Sequence, residues 1–319
     1  MWQPDTLAIT AMARQQQLDL PTTIREGRIN LADKRQLAYC VYGDAHGEPV
    51  YFFHGFPGSR IQATLIADLA RVHHLKIISA DRPGFGQSTP HDRRTITGFA
   101  DDTRQLADHL GHARFGVLGI SCGGPYALAC AHQLGNRVSH IGLMAGIGPM
   151  DIPSIRKEQA VILKLMFSLA RVNPVLITPL LMLDNIVYKR DPEQAVATLS
   201  RMLTPPDQAF IKDNPHKARL FGYSLAEAYR QGIRGPSQEA ALITGPRGFA
   251  MHAIQQPTDV FQGVHDKNVP PVMGRYIADS IPNARYHQYE NDGHLSIVIN
   301  AFSQYAKHFR NRHTASLPA

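Results

Sequence analysis

From about Ile29 the chain alternates short apolar runs with segments of helical spacing, and this rhythm narrows its possible folds more than any other feature. Residues 36–42, 50–53, 76–80, 116–120 and 138–144 read as strands, and 61–73, 96–110 and 124–134 as helices. In the second of these helices Phe99, Thr103, Leu106 and Leu110 fall close to one face. Strands separated by helices need crossover connections, so an α/β fold is expected, with a mainly parallel sheet covered by helices on both faces. After Gly148 the rhythm stops. Residues 151–249 carry helical patterns broken by Pro174, Pro179, Pro192, Pro205, Pro206 and Pro215, with no convincing strand. The alternation resumes over 259–264, 271–280 and 285–289, and a helix from His294 to about Phe309 closes the chain. The expected architecture is therefore one core at 25–148 and 250–319, interrupted by a helical cap at 149–249. An extension, 1–24, precedes it, read as an extra helix packing on the core or on a partner. A chain of 319 residues with 44% apolar content is long and greasy enough to bury such a core.

Composition excludes several roles. The formal charge is +7, but Lys and Arg are scattered, and the nearest cluster, Lys307, Arg310 and Arg312, reads as a solvated terminal helix. With no RNA-binding or zinc-finger signature, nucleic acid is not an expected partner. Cys40, Cys122 and Cys130 are few, odd in number and not spaced as metal pairs. The opening MWQPDTLAITAMARQQQ lacks the basic start and apolar core of a secretory signal, which makes the reducing cytoplasm the default location. The longest apolar stretch, VILKLMFSLARVNPVLITPLLML (161–183), is interrupted by Lys164, Arg171, Asn173, Pro174 and Pro179, so no membrane span is expected. That stretch is read as cap core, with part of its surface lining an acyl pocket. A P-loop, a G-x-G-x-x-G after a strand and an H-E-x-x-H are all missing, so neither a cofactor nor a metal is expected.

The chemistry concentrates in FGVLGISCGGPYALA (115–129), where Ser121 and Cys122 compete as nucleophiles. A side chain presented on a sharp strand-to-helix turn needs small residues two before and two after it. Centred on Ser121, those positions are Gly119 and Gly123; centred on Cys122, the first is β-branched Ile120. The spacing selects Ser121. A serine hydroxyl needs a base, and histidine titrates in the right range. Among sixteen histidines His294 lies directly after the last expected strand, on the rim that the elbow shares. His73, His74, His109, His112, His308 and His313 sit at helix ends or in the tail and read as surface or capping residues. The imidazole needs an orienting carboxylate. Asp266 follows the preceding strand and falls between serine and histidine in the chain, ahead of Asp151 and Asp292 as the choice. Developing negative charge needs N–H donors. The backbone of Cys122 at the helix start is one, and Phe56 in the loop HGFPG, where His54 and Gly55 support the turn, is the other.

HGFPGS, DRPGFGQS, GISCGG, GVHDKNVP and NDGH together resemble the α/β-hydrolase superfamily, in its order and spacing, over roughly 25–148 and 250–310. The resemblance implies a cofactor-free serine hydrolase with a helical cap between the sixth and seventh core strands. Ser121 would be the nucleophile, His294 the base, Asp266 the orienting acid, and Phe56 with Cys122 the oxyanion donors; Asp81 is read as structural. Serine at the elbow sets the chain apart from members with aspartate there. The substrate expected is a small-molecule carboxylic ester with an apolar acyl group. Carbon–carbon hydrolase, thioesterase, amidase and slow-turnover binding readings remain beside it, and a homodimer is left open.

Overall fold

The computed structural model describes residues 23–314, so the expected helix in the N-terminal extension lies outside the described residues. Eight strands form one sheet: β1 (Arg25–Asn30), β2 (Gln36–Gly43), β3 (Glu48–Phe53), β4 (Leu75–Ala80), β5 (Phe115–Ile120), β6 (Val138–Met144), β7 (Thr258–Gly263) and β8 (Ala284–Tyr289), in the order β1-β2-β4-β3-β5-β6-β7-β8. β2 pairs antiparallel with β1 and β4, and every other pair is parallel. β5, β6 and β7 are buried along their whole length, as parallel strands covered on both faces must be. Side-chain alternation divides the core between the two faces: Tyr51, Phe53 and Val117 point into one layer, Val50, Phe52 and Leu118 into the other.

Helices α1 (Ala67–Val72), α2 (Gly98–His109) and α3 (Gly124–Leu134) link the first strands, and α10 (Pro271–Ser280), α11 (Ser296–Asn300) and α12 (Phe302–Thr314) complete the layers. Three details depart from the sequence reading. The edge strand β1, REGRIN, buries Ile29 alone and so carries no strand pattern to read. The expected helix over 61–73 begins as a tighter 3-10 segment, Arg60–Ile66, started by the Ser59 side chain accepting from Ile61 N–H. The closing helix is two helices, meeting at Ala301.

Between β6 and β7 the described chain is helical and turned, with no strand. Its main elements are α4 (Val161–Val172), α5 (Thr178–Arg190), α6 (Pro192–Ser200), α7 (Pro205–Asp213), α8 (Pro215–Ala228) and α9 (Arg234–Thr244). The prolines that interrupt the sequence pattern are helix starts. Pro192, Pro205 and Pro215 each occupy a first helical position, where the missing N–H is not needed. Polar links fasten this insert to the core. Lys217 donates to the Leu65 carbonyl, Ser224 bonds Ser59, and the Gln231 amide donates to the carbonyls of Gly86 and Ser88. The apolar stretch over 161–183 is divided by helical geometry. Met166, Phe167, Ala170, Ile177 and Leu181 face inward, while Val161, Leu165, Val172, Val175 and Leu183 are exposed. Among the described residues no helix is long and apolar enough to cross a membrane.

Candidate active site

β3, β5, β7 and β8 run parallel, so the loops leaving their C-terminal ends share one rim of the sheet. The chain leaves β5 through Ser121, whose φ of 52° lies in the left-handed region that strains a residue with a side chain. A 3-10 turn, Ser121–Gly123, then leads into α3. The glycines on either side have no room for anything larger. A Cβ at Gly119 would lie 2.7 Å from the Gly123 carbonyl oxygen, and one at Gly123 only 2.0 Å from that of Phe53. The turn's strain is thus centred on Ser121, the register that the small-residue spacing selects. Cys122 is buried, and burial together with the charge of Glu239 pushes its thiol up to about 12, which Arg82 and Ser121 only partly offset. At neutral pH it stays a protonated thiol and a weak nucleophile.

His294 leaves β8 and Asp266 leaves β7, and the structure brings them together: His294 Nδ1 donates to Asp266 Oδ2 over 2.8 Å. Asp266 is fully buried, and its other oxygen accepts the backbone N–H groups of Asn268 and Val269, both at 2.8 Å, so the carboxylate is fixed before it meets the imidazole. The competing carboxylates lie elsewhere. Asp292 accepts from the Asn300 amide, and Asp151 is exposed. With Nδ1 engaged, the proton-accepting nitrogen of His294 is Nε2.

The loop after β3 is held by a residue that sequence reasoning passed over. Arg82, from DRPG after β4, donates to the carbonyls of His54 (2.6 Å) and Gly55 (3.0 Å). The Gly55–Phe56 peptide is trans, so anchoring its C=O on Arg82 turns the Phe56 N–H the opposite way. His54 is buried and its Nδ1–H donates to Gly55 O. Burial, reinforced by the Arg82 charge, holds its pKa well below the usual value, so it is a neutral structural ring. Gly55 is less constrained than the sequence reading supposes. A Cβ there would make only ordinary contacts, 3.5 Å from the Ser121 Cβ, and that short distance shows how closely this loop approaches the elbow. Asp81 is structural, as expected: it accepts from the Arg60 and Gln87 backbones and pairs with the Arg60 guanidinium.

Asp207 is a second residue that the sequence reading missed. From the first turn of α7 in the insert, its buried carboxylate accepts the N–H groups of His294 (2.8 Å), Leu295 (2.9 Å) and Ser296 (3.0 Å). A carboxylate over consecutive N–H groups at a chain turn neutralises their dipoles and fixes the backbone that carries the imidazole. Burial pulls the His294 pKa down, but the charges of Asp266 and Asp207 outweigh it, and the pKa ends above the usual histidine value.

Comparison with known proteins bears on the family and the fold. Residues 48–301 match the profile of the family described as alpha/beta hydrolase fold. The chain is 29% identical over 265 residues to a poly(3-hydroxyalkanoate) depolymerase of Ectopseudomonas oleovorans, covering 81% of this chain and 82% of that one. It is 28% identical over 282 residues, 85% and 88% of the two chains, to a 2-hydroxy-6-oxononadienedioate/2-hydroxy-6-oxononatrienedioate hydrolase of Pseudomonas putida. Among solved structures, an alpha/beta hydrolase fold protein from Nakamurella multipartita superposes with a TM-score of 0.67 at 22% identity, covering 90% of this chain and 99% of that one.

Proposed function

Since the chain belongs to the alpha/beta hydrolase fold family, we propose that it is a serine esterase, acting on carboxylic esters with an apolar acyl group through an acyl-enzyme. The observation that carries this reading is the 2.8 Å bond between His294 and buried Asp266, on the same rim as a strained Ser121. His294 Nε2 takes the Ser121 hydroxyl proton as the oxygen attacks the ester carbonyl, and Asp266 stabilises the imidazolium. The N–H groups of Phe56 and Cys122 receive the oxyanion, the second at a helix start where the dipole adds to it. Collapse releases the alcohol, which takes the proton from Nε2. Water, deprotonated by the same nitrogen, then frees the acid and restores Ser121. A fluorophosphonate is expected to label Ser121 in folded protein, and labelling elsewhere or not at all would overturn the assignment.

The substrate class rests on the insert. Phe167, on the inward face of α4, places its ring 6.1 Å from that of Phe56, so an apolar side chain of the insert borders the oxyanion loop. A relative whose name specifies depolymerisation of a hydroxyalkanoate polyester fits an ester substrate with an aliphatic acyl chain. Phe167→Ala is expected to lower kcat/KM for medium-chain p-nitrophenyl esters about tenfold, roughly the value of one or two buried methylenes, and to leave the acetate nearly unchanged. An equal loss across the series would show that Phe167 only supports the fold. Carbon–carbon, thioester and amide substrates in the same panel separate this reading from the others that a Ser–His–Asp site permits.

The pH dependence follows from the raised His294 pKa. The base works when neutral, so kcat/KM is expected to rise with pH through a midpoint above ~6.5, the ordinary histidine value. Asp207→Asn removes one of the two charges that raise it, and the midpoint is expected to move to lower pH. A pH–rate profile unchanged in the variant would exclude Asp207 from tuning the base.

A further inference from the structure

At the opposite end of β7 from Asp266, three histidines distant in sequence meet around one carboxylate. Asp259 is fully buried near the start of the strand. Its Oδ1 lies 2.6 Å from Nε2 of His287 on β8, and its Oδ2 lies 3.0 Å from Nδ1 of His308 on α12. From β6, Nε2 of His140 approaches the same Oδ2 to 2.9 Å. His308 is therefore not the tail residue that its sequence position suggests. The ligand-capable atoms of Asp259, His287 and His308 all lie within 4.8 Å of one another. In a tetrahedral zinc site with bonds near 2.0–2.1 Å, ligand atoms stand about 3.3 Å apart, so small side-chain rotations would bring the three onto one ion.

The fourth member, His140, already serves that carboxylate. His140 is fully buried against the rings of Tyr305 and Phe309, with Nε2 on the Asp259 carboxylate and Nδ1 turned away from it. We propose that Asp259, His287 and His308 form a binding site for a borderline divalent cation, Zn²⁺ above all, with His140 donating to the carboxylate oxygen that does not face the ion. Two imidazoles and one carboxylate are a donor set suited to zinc and poorly suited to magnesium or calcium. The side chains of His287 and His308 are 18% and 27% exposed, which gives the ion a path in and leaves its fourth position to water. The outer ring nitrogen of His287 faces the Gln304 side-chain nitrogen at 3.2 Å, while the Gln304 oxygen accepts from the Tyr289 hydroxyl at 2.7 Å; metal binding would require that amide to turn, its oxygen then accepting from Nδ1–H of the ligating tautomer. The ion would tie α12 to β7 and β8, away from the rim that carries Ser121, and so would be structural.

Full-length protein stripped with chelator and titrated calorimetrically with ZnCl₂ is expected to bind one ion with micromolar or tighter affinity, and Tm should rise by several degrees with kcat unchanged. His287→Gln and His308→Gln, both at partly exposed positions, should each weaken binding at least tenfold and remove the rise in Tm. Asp259→Asn should abolish binding, and its loss counts only if the variant folds, which the two glutamine variants make unnecessary to the test. Co²⁺ should give the absorption bands of a four-coordinate N/O site, lost in His308→Gln. No zinc binding, binding untouched by the histidine substitutions, or equal stabilisation by Mg²⁺ would each overturn the proposal.

Discussion

Ser121→Ala is expected to lower kcat on a preferred ester by about a million-fold, the scale seen when a triad nucleophile is removed, with KM little changed. The size follows from the site's division of labour. His294, Asp266 and the oxyanion loop would all survive the substitution, but with no oxygen to deprotonate they have nothing to act on, and only water held near the oxyanion donors remains. The fold should tolerate the change, because alanine meets the same φ of 52° with a smaller side chain. Circular dichroism and Tm close to wild type, alongside the lost activity, are therefore part of the expected result. The neighbouring position is the control. Cys122 supplies only its backbone N–H in the proposed mechanism, and its thiol, pushed up to about 12, stays protonated. Cys122→Ala should accordingly keep most activity. A Ser121→Ala enzyme with near-wild-type turnover would end the serine assignment, and a dead Cys122→Ala enzyme that still folds would move the nucleophile by one residue.

What could be read from the sequence, and what could not, follows the range over which each feature acts. The strands β2 to β6 announce themselves because each is a short apolar run bounded by local turn chemistry, and β7 and β8 are legible mainly from the return of the strand–helix rhythm. The elbow is legible for the same reason: Gly119 and Gly123 lie within two residues of Ser121, and the clash that forbids larger side chains is set by that one turn. Asp266 and His294 could be chosen because strand order alone places their loops on the elbow's rim. Arg82, Asp207 and the Asp259 cluster had no such signal. His294 and Asp207 are 87 residues apart and meet only because the insert folds back onto the turn that follows β8, a packing that no local spacing encodes. Asp259 and His308 are 49 residues apart and come from a strand and a helix, so their juxtaposition appears only once α12 is laid on the sheet. The prolines of the insert show the converse error. Each was legible as a break, but only the helices that follow them show that it is a start.

Glu239→Ala is the substitution expected to cost most in stability. Glu239 projects from α9 of the insert into the core and is fully buried. Its carboxylate pairs with Arg82 at 2.9 Å and with Arg94, and it accepts from the Tyr126 hydroxyl at 2.8 Å. One carboxylate thus neutralises two buried guanidinium groups whose side chains are no more than 3% exposed. Deleting it leaves two uncompensated cations in a site that water cannot easily enter, the case in which breaking a buried pair costs about 3–5 kcal/mol. For a chain of this size such a loss lowers Tm by about 4–7 °C. Glu239→Gln, which keeps the shape and one acceptor but not the charge, should fall between. The effect should also reach the chemistry. Arg82 is the residue that anchors the carbonyls of His54 and Gly55, so a guanidinium released from Glu239 frees the loop that aims the Phe56 N–H. The variant, assayed well below its Tm, is expected to lose kcat with little change in KM, because the oxyanion forms only during the reaction. Urea unfolding together with kcat measured at low temperature tests both halves. Unchanged stability would mean that the guanidiniums find other partners, and lost stability with intact kcat would mean that the loop holds its shape without Arg82.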